Sequence, residues 1–450
     1  MTWKRYPQYK DSGIEWLGEI PELWEIKRVK TMLSRNDSGV WGDDFDDEGV
    51  VVLRSTEQTV GGDWIIIEPA KRRLSVHEYV SAILKEGDLV VTKSSGSSLH
   101  IGKTSIVTKE IAALNCCYSN FMQRLRVQPT VDPWFMRHVL NGEIGRKQFD
   151  YLSSTTTGLA NLNSEIIGNV IASFPSEGEQ RAIAAFLGRE TERIDTLITK
   201  KERQIELLQE KRTALISHAV TKGLNPDVKM KDSGIEWLGE IPEHWEILSI
   251  KRITSIPITD GPHETPKLLD EGISFISAEA IKNDKIDFAK MRGFISLENH
   301  AKFSRKYKPR RGDIYLIKSG ATTGNVAFVD TDDEFNIWSP LAAIRPDPKK
   351  AITPFVFFFM KSKNFFQSIE LGWSYGTQQN IGMNVIENIP IALPPLEEQE
   401  SIAALLNTNI IQIDEIASKV ENSIDLLHEY RTALISAAVT GKIDVRKEVA

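Results

Sequence analysis

The thirteen residues KDSGIEWLGEIPE stand at Lys10–Glu22 and again, unchanged, at Lys231–Glu243. Trp24-Glu25-Ile26 and Trp245-Glu246-Ile247 extend the match. A second repeat lies further along: Gln180–Thr221 aligns with Gln399–Thr440 at a shift of 219, with RTALIS identical at Arg212–Ser217 and Arg431–Ser436. Internal repetition decides how many times one structural unit is built, so it governs every later step. Fainter echoes lie between the two repeats. Asn161 matches Asn380, Asn169 matches Asn388 and Pro175 matches Pro394, while Gly87-Asp88 with Lys93-Ser94 matches Gly312-Asp313 with Lys318-Ser319. The stretches around 40–75 and 260–300 do not align. Each half is a near-identical frame around a divergent insert.

The second repeat predicts a long helix in each half. After Pro175, apolar residues fall at Ile183, Leu187, Ile194, Leu197, Ile198, Ile205, Leu208 and Leu215, close to heptad spacing, with Glu, Lys and Arg between them. Gly223 and Pro226 end this run. The second copy carries Ile402, Leu405, Leu406, Ile413, Ile416, Val420, Ile424, Leu427 and Leu434, and closes near Gly441. Each helix of about 40 residues spans roughly 60 Å at 1.5 Å per residue. A stripe that narrow on a helix that long needs a partner, and the other copy is the expected one. The alternative is two amphipathic helices, each packed on its own domain.

The inserts predict mixed α/β (α+β) domains. Apolar runs at Val50–Leu53, Leu89–Val91, Ile273–Ile276 and Ile314–Ile317 suit strands, and the Gly-Asp pairs mark turns before two of them. Pro133–Leu140 and Pro354–Met360 suit short helices with a proline at the start. The expected organisation is a first globular domain over 1–175, a helix over 176–222, a second globular domain over 223–395, a second helix over 396–443 and a tail over 444–450. The two helices are expected to pair as an antiparallel coiled coil within a pseudo-two-fold repeat.

Composition is that of a globular protein: 41% hydrophobic and 26% charged over 450 residues. There is no apolar run of membrane-spanning length. The opening MTWKRYPQYKDSG lacks the apolar core of a secretory signal. The only cysteines, Cys116 and Cys117, adjoin in sequence, which suits small buried thiols in a reducing cytoplasm rather than a disulfide or zinc site. The net charge of −7 does not favour nucleic acid, but the charge is unevenly spread. Lys302, Arg305, Lys306, Lys308, Arg310, Arg311 and Lys318 cluster with only Asp313 among them, and Lys85–Arg126 is also biased to basic residues. Asp43, Asp44, Asp46, Asp47 and Glu48 concentrate acid elsewhere. Such bipolarity suits basic working faces, with solvated surface charge as the plain alternative.

Several catalytic classes leave no trace. An adenine methyltransferase needs an Asn-Pro-Pro-Tyr-like loop and a Gly-rich cofactor turn, and neither occurs. Gly102-Lys103-Thr104 resembles the end of a phosphate loop, but Ser97 stands where its first glycine belongs. The His residues, eight in all, show no metal-ligand spacing. These gaps favour a binding subunit serving catalysts on other chains.

The paired segments EGEQRAIAAFL and EEQESIAALL, the long helices carrying RTALIS, and the leading GIEWLGEIPEHW resemble the specificity subunits of type I restriction–modification systems. The resemblance covers essentially the whole chain. It implies two target recognition domains, each reading half of an asymmetric bipartite site in double-stranded DNA, with the helices as a spacer. It further implies a non-catalytic cytoplasmic chain that recruits two methyltransferase subunits using S-adenosylmethionine. Restriction (translocase) subunits using ATP and magnesium would join them, in defence against foreign DNA. No cofactor, metal or membrane is expected at this chain itself.

Polar loops at matching places suit DNA contact, with phosphates giving register and base edges giving sequence. In the first half they are Lys93, Ser94, Ser95, Ser97, Ser98, His100, Lys103 and Thr104, then Thr155, Thr156, Thr157 and Asn161. In the second they are Lys318, Ser319, Thr322, Thr323 and Asn325, then Ser374, Tyr375, Thr377, Gln378, Gln379 and Asn380. The loop Asp260–Thr265 adds His263 and Thr265; its counterpart near Val40-Trp41-Gly42-Asp43 departs strongly. Gln378 and Gln379 are expected base readers, since Gln can hold adenine bidentately. A residue kept in both halves is better suited to phosphate or frame than to sequence choice. Lys93 and Lys318 are therefore phosphate candidates, and Asn161 and Asn380 are alternatively braces of the loop. Trp16, Trp24, Trp237 and Trp245 are expected to anchor packing or a subunit interface.

Overall fold

A computed structural model of the chain describes residues 3–43, 45–95, 100–153, 161–371 and 380–448. Contacts divide it into two compact units, Met1–Lys201 with Asn422–Ala450, and Glu202–Glu421.

The divergent inserts hide a common topology. The first unit has a four-stranded antiparallel sheet in the order Leu33–Ser38, Met122–Val127, Leu89–Thr92, Thr104–Ile106. The second has Thr259–Asp260, Leu341–Ile344, Ile314–Ile317, Val326–Phe328 in the same order. Beside each lies a three-stranded mixed sheet: Ala70–Arg72, Phe45–Leu53, Cys117–Tyr118 in one, and Gly293–Ile295, Ile273–Ile276, Phe335–Ile337 in the other. The strands form where the apolar runs lie, because their residues are buried on both faces: Leu89, Val90 and Val91, and likewise Ile314 to Ile317, are fully enclosed. The Gly-Asp turns are shared as well. Gly87 (φ 83°) and Gly312 (φ 92°) take left-handed backbone, and the next residue is a buried Asp gripping an arginine across the sheet. Asp88 holds Arg126 at 2.6 and 2.7 Å; Asp313 holds Arg345 at 2.6 and 2.7 Å.

The long helices run Glu177–Lys222 and Leu396–Val439. Gly223 (φ 73°) and Gly441 (φ 72°) follow their ends as left-handed residues. The Gln of each repeated Glu-Gln pair is buried at the helix start. Gln180 accepts from the Asp132 N–H and donates to Pro175 O; Gln399 accepts from the Ile352 N–H and donates to Lys350 O and Pro394 O. This side chain ties the helix to the globular part, which is what the repeated motif is for.

In the first unit, Leu187, Thr191, Ile194 and Ile198 are buried on the first long helix, and Leu434, Ile435 and Ala438 from the end of the second share their core. In the second unit, Ile402, Leu406 and Ile410 share a core with Ile216, Ala219 and Val220. Leu187, Thr191, Ile194 and Ile198 follow at steps of four, three and four residues, and Ile402, Leu406 and Ile410 at steps of four, so each helix carries a buried seam. Leu197, Leu405 and Ile416 do not belong to it: each lies one residue off the seam and is exposed.

Each thirteen-residue frame segment forms a small hairpin: Tyr9–Asp11 with Glu19–Pro21, and Met230–Asp232 with Glu240–Pro242. It closes over the end of the other copy's long helix. In the first unit the Tyr9 hydroxyl donates to Gly441 O at 3.0 Å, and Lys442 Nζ donates to Leu17 O and Glu19 O. In the second, Trp245 and Pro242 abut Gly223. Trp24 and Trp245 are fully buried, so they are core anchors; Trp16 is exposed and Trp237 half-buried. Cys116 and Cys117 are buried and unpaired, and burial pushes their thiols up to about 11 and about 12.

Candidate nucleic-acid interface

In both units the strand that follows the Gly-Asp turn ends in a lysine held from both sides. Lys93 N–H donates to Phe121 O at 3.0 Å and its carbonyl accepts from Leu162 N–H at 2.8 Å; Lys318 N–H donates to Pro340 O at 2.8 Å and its carbonyl accepts from Ile381 N–H at 2.7 Å. The next residue bridges to the matched asparagine, Ser94 to Asn161 and Ser319 to Asn380, and the Ser94 hydroxyl lies 2.9 Å from Asn161 Oδ1. Asn161 and Asn380 thus brace the loop.

The ammonium of each lysine reaches the strand on the far side of the sheet. Lys93 Nζ donates to Ser38 Oγ at 2.6 Å, and Lys318 Nζ meets Asp260 Oδ2 at 3.1 Å. Ser38 and Asp260 precede Gly39 and Gly261, which occupy the same tight place. A Cβ there would fall 2.2 Å from Tyr118 O in one unit and 2.1 Å from Ile337 O in the other, so only glycine fits. This aligns Ser38-Gly39-Val40-Trp41 with Asp260-Gly261-Pro262-His263. The sequences share only the glycine, too little signal to find the register from sequence alone.

The electrostatics differ. Asp260 also takes Lys306 at 2.6 Å and exposed His263 at 3.1 Å. Burial alone would push the Asp260 carboxyl up, but hydrogen bonds from Lys306 and Lys318 outweigh it and hold it below the usual range. Among the described residues, Lys93 Nζ meets only a neutral hydroxyl, and burial lowers its ammonium. A cavity of about 290 Å³ opens beside the second loop, lined by His263, Lys302, Lys306 and Asn336 among others.

The other candidates divide. Thr322 and Asn325 are exposed in the turn after the second lysine, and Thr265 is exposed on the loop carrying His263; Thr323 is half-buried and donates to Gly320 O. Ser95 and His100 are half-buried. Lys103 and Thr104 lie inside the first unit rather than on its surface: Lys103 Nζ donates to Ser55 O and Gln58 O at 2.8 Å, and the Thr104 hydroxyl donates to Gly102 O. Ser97, Ser98, Thr155, Thr156, Thr157, Ser374, Tyr375, Thr377, Gln378 and Gln379 lie outside the described residues. The basic run 302–318 is less open than its sequence suggests. Lys302, Lys306, Lys308 and Arg311 pair with Glu264, Asp260, Glu334 and Asp332, acids remote in sequence. Among the described residues no cluster of His, Cys, Asp and Glu is arranged to hold a metal, and no helix is long and apolar enough to cross a membrane.

Residues 242–426 match the family described as the type I restriction modification DNA specificity domain. The chain is 23% identical over 437 residues to the type I restriction enzyme MjaVIII specificity subunit of Methanocaldococcus jannaschii, covering 95% of this chain and 94% of that one. It is 28% identical over 214 residues to the EcoKI specificity subunit of Escherichia coli K12, covering 46% and 44%. Residues 242–426 thus resemble that DNA specificity domain, and the chain as a whole is similar in sequence to type I specificity subunits. Two solved structures share the fold. The HsdS subunit of Thermoanaerobacter tengcongensis superposes with a TM-score of 0.57 at 18% identity, over 94% of this chain and 98% of that one. A chain from work on complex assembly and conformational transition of the type I system superposes with a TM-score of 0.70 at 16% identity, over 93% and 98%.

Proposed function

We propose that this chain is the specificity subunit of a type I restriction–modification system and reads an asymmetric, two-part site in double-stranded DNA, one half-site per unit. The observation that carries this reading is the repetition of one braced lysine loop on two inserts that otherwise diverge. Repeated parts suit the phosphate backbone, which is the same everywhere; divergent parts suit base edges, which are not. Lys93 and Lys318 serve as phosphate contacts, and the exposed polar groups beside them, Thr322, Asn325, His263 and Thr265, face the duplex.

The globular parts over 1–175 and 223–395 act as target recognition domains, and the helices pair as an antiparallel coiled coil that sets the gap between half-sites. Two matched ion pairs support that pairing. Arg431 meets Asp195 at 2.9 Å in the first unit, and Arg212 meets Asp414 at 3.4 Å in the second. Each joins one long helix to the other, and the 219-residue shift carries one pair onto the other. The chain recruits two methyltransferase subunits, which supply S-adenosylmethionine chemistry, and restriction subunits, which use ATP and magnesium. It works in the cytoplasm.

The test is a map of N6-methyladenine across the source genome with and without this gene. Loss of methylation at one bipartite motif with a fixed gap supports the reading. An unchanged map, even with the neighbouring methyltransferase gene co-expressed, rejects it.

A further inference from the structure

We infer that Arg292 reads a guanine in the half-site of the second unit; this rests on the DNA reading proposed above. Its guanidinium lies over an indole, with Cζ 3.9 Å from the centre of the Trp338 ring. Glu279 approaches one edge, with Oε1 3.4 Å from Nη1. About a third of the side chain remains open, at 34% exposure. The backbone beneath is fixed, since Arg292 N–H donates to Phe275 O and Trp338 N–H to Ile276 O.

The stack stands in the candidate interface. Trp338 begins the turn whose Pro340 carbonyl holds Lys318, and the loop carrying His263 packs on it, since a Cβ on Gly261 would come within 2.6 Å of the Trp338 carbonyl carbon. Two properties make this arginine a reader rather than one more phosphate contact. First, the indole on one side and Glu279 at one edge place the guanidinium before DNA arrives. An arginine loses rotamer freedom on binding, and a pre-set fork presents paired donors matched to O6 and N7 of guanine. Second, the matched place in the first unit holds no such stack; in that unit Arg72 lies over Trp41, a different pair of positions. Strand pairing sets Phe275 opposite Gly293 as it sets Val52 opposite Ala70, and Ile276 opposite Ile337 as it sets Leu53 opposite Tyr118. The first unit therefore has Pro69 and Ser119 where the second has Arg292 and Trp338. A group absent from the matched place is free to choose bases without altering the other half-site.

The experiment uses the subunit assembled with its methyltransferase partners. Each half-site in turn is randomised in a DNA library while the other is held fixed, and methylation is scored by sequence for wild type, Arg292→Lys and Arg292→Met. Lysine keeps the charge; methionine keeps cover on the indole and removes the donors. The expected result is that wild type prefers guanine at one position of one half-site. Both variants then lose that preference by roughly 5- to 150-fold, the discrimination of one bidentate contact, with the other half-site unchanged. The inference is overturned if the wild-type motif has no such guanine, if both variants keep the wild-type spectrum, or if they lose activity evenly across all sequences, which marks a packing role. A wild-type complex that methylates no bipartite motif refutes the underlying DNA reading instead.

Discussion

Lys93 and Lys318 hold the same place in two sheets of the same strand order, and each ammonium crosses to the same point on the edge strand. One finds a hydroxyl, Ser38; the other finds a carboxylate, Asp260, which also takes Lys306 and His263. Backbone geometry is thus conserved between the units where electrostatics is not. The frame determines where a cation sits, and the insert determines how much of its charge is left for a ligand. The proposed reading of two different half-sites on one repeated scaffold needs this separation.

Disrupting the frame itself has the largest expected effect. Asp313 is fully buried and accepts from Arg345, Tyr307 and the Arg310 N–H. Asp313→Ala leaves the Arg345 side chain, 17% exposed, without its counter-ion, and should cost about 3–5 kcal/mol. Asp88→Ala does the same to Arg126, but that side chain is 26% exposed and can recover more water, so its cost should be smaller. Denaturant unfolding with hydrogen exchange resolved by segment separates the two. Equal costs, or costs near zero, would mean that the Gly-Asp clamp is not the shared strut.

A second contrast lies under the short helix that leads into each pair of helices. Counting from the residues whose N–H groups bond Gln180 and Gln399, His138 in the first unit corresponds to Phe358 in the second. Burial, with Arg137 and Arg431 nearby, pushes the His138 imidazole down to about 3. The unfolded chain binds that proton near pH 6.5 and the folded chain does not. Folding stability is therefore unaffected above pH 6.5 and falls as the pH drops below it, by about 2 kcal/mol between pH 6.5 and 5. Hydrogen exchange should show the first unit weakening over this window, and His138→Phe should remove the loss. An acid response that survives the substitution would have another source.

The repeats, long helices, Gly-Asp turns and bracing asparagines were legible because they depend on local pattern or on comparison of one half with the other. The rest depended on what folding brings together. Asp260, Glu264, Asp332 and Glu334 neutralise a basic run from which they are distant in sequence. Lys103 sits in a polar stretch, yet its ammonium is drawn inside by two carbonyl groups. Heptad spacing left a choice between neighbours such as Leu197 and Ile198, which only the partner surface resolves in favour of Ile198. Trp338 and Arg292 carry no sequence signal as a pair, because 46 positions separate them.

The smallest effect tests the opening comparison most directly. Asp260→Ser gives Lys318 the partner that Lys93 already has. The variant should fold, since the first unit shows that a serine hydroxyl can receive this ammonium. With the carboxylate gone, one cation more is available to the DNA backbone. The slope of log binding constant against log salt should steepen by about 0.9, the counterion release of one phosphate contact. Ser38→Asp should flatten the slope by a similar amount in the first unit. Anisotropy titrations of the assembled complex over a range of salt measure both. If the two slopes stay parallel to wild type, neither lysine meets a phosphate, and the conserved loop positions the insert without touching DNA. If Asp260→Ser steepens the slope and Ser38→Asp leaves it unchanged, Lys93 is held inward by its own burial, and only the second unit uses its lysine on the backbone.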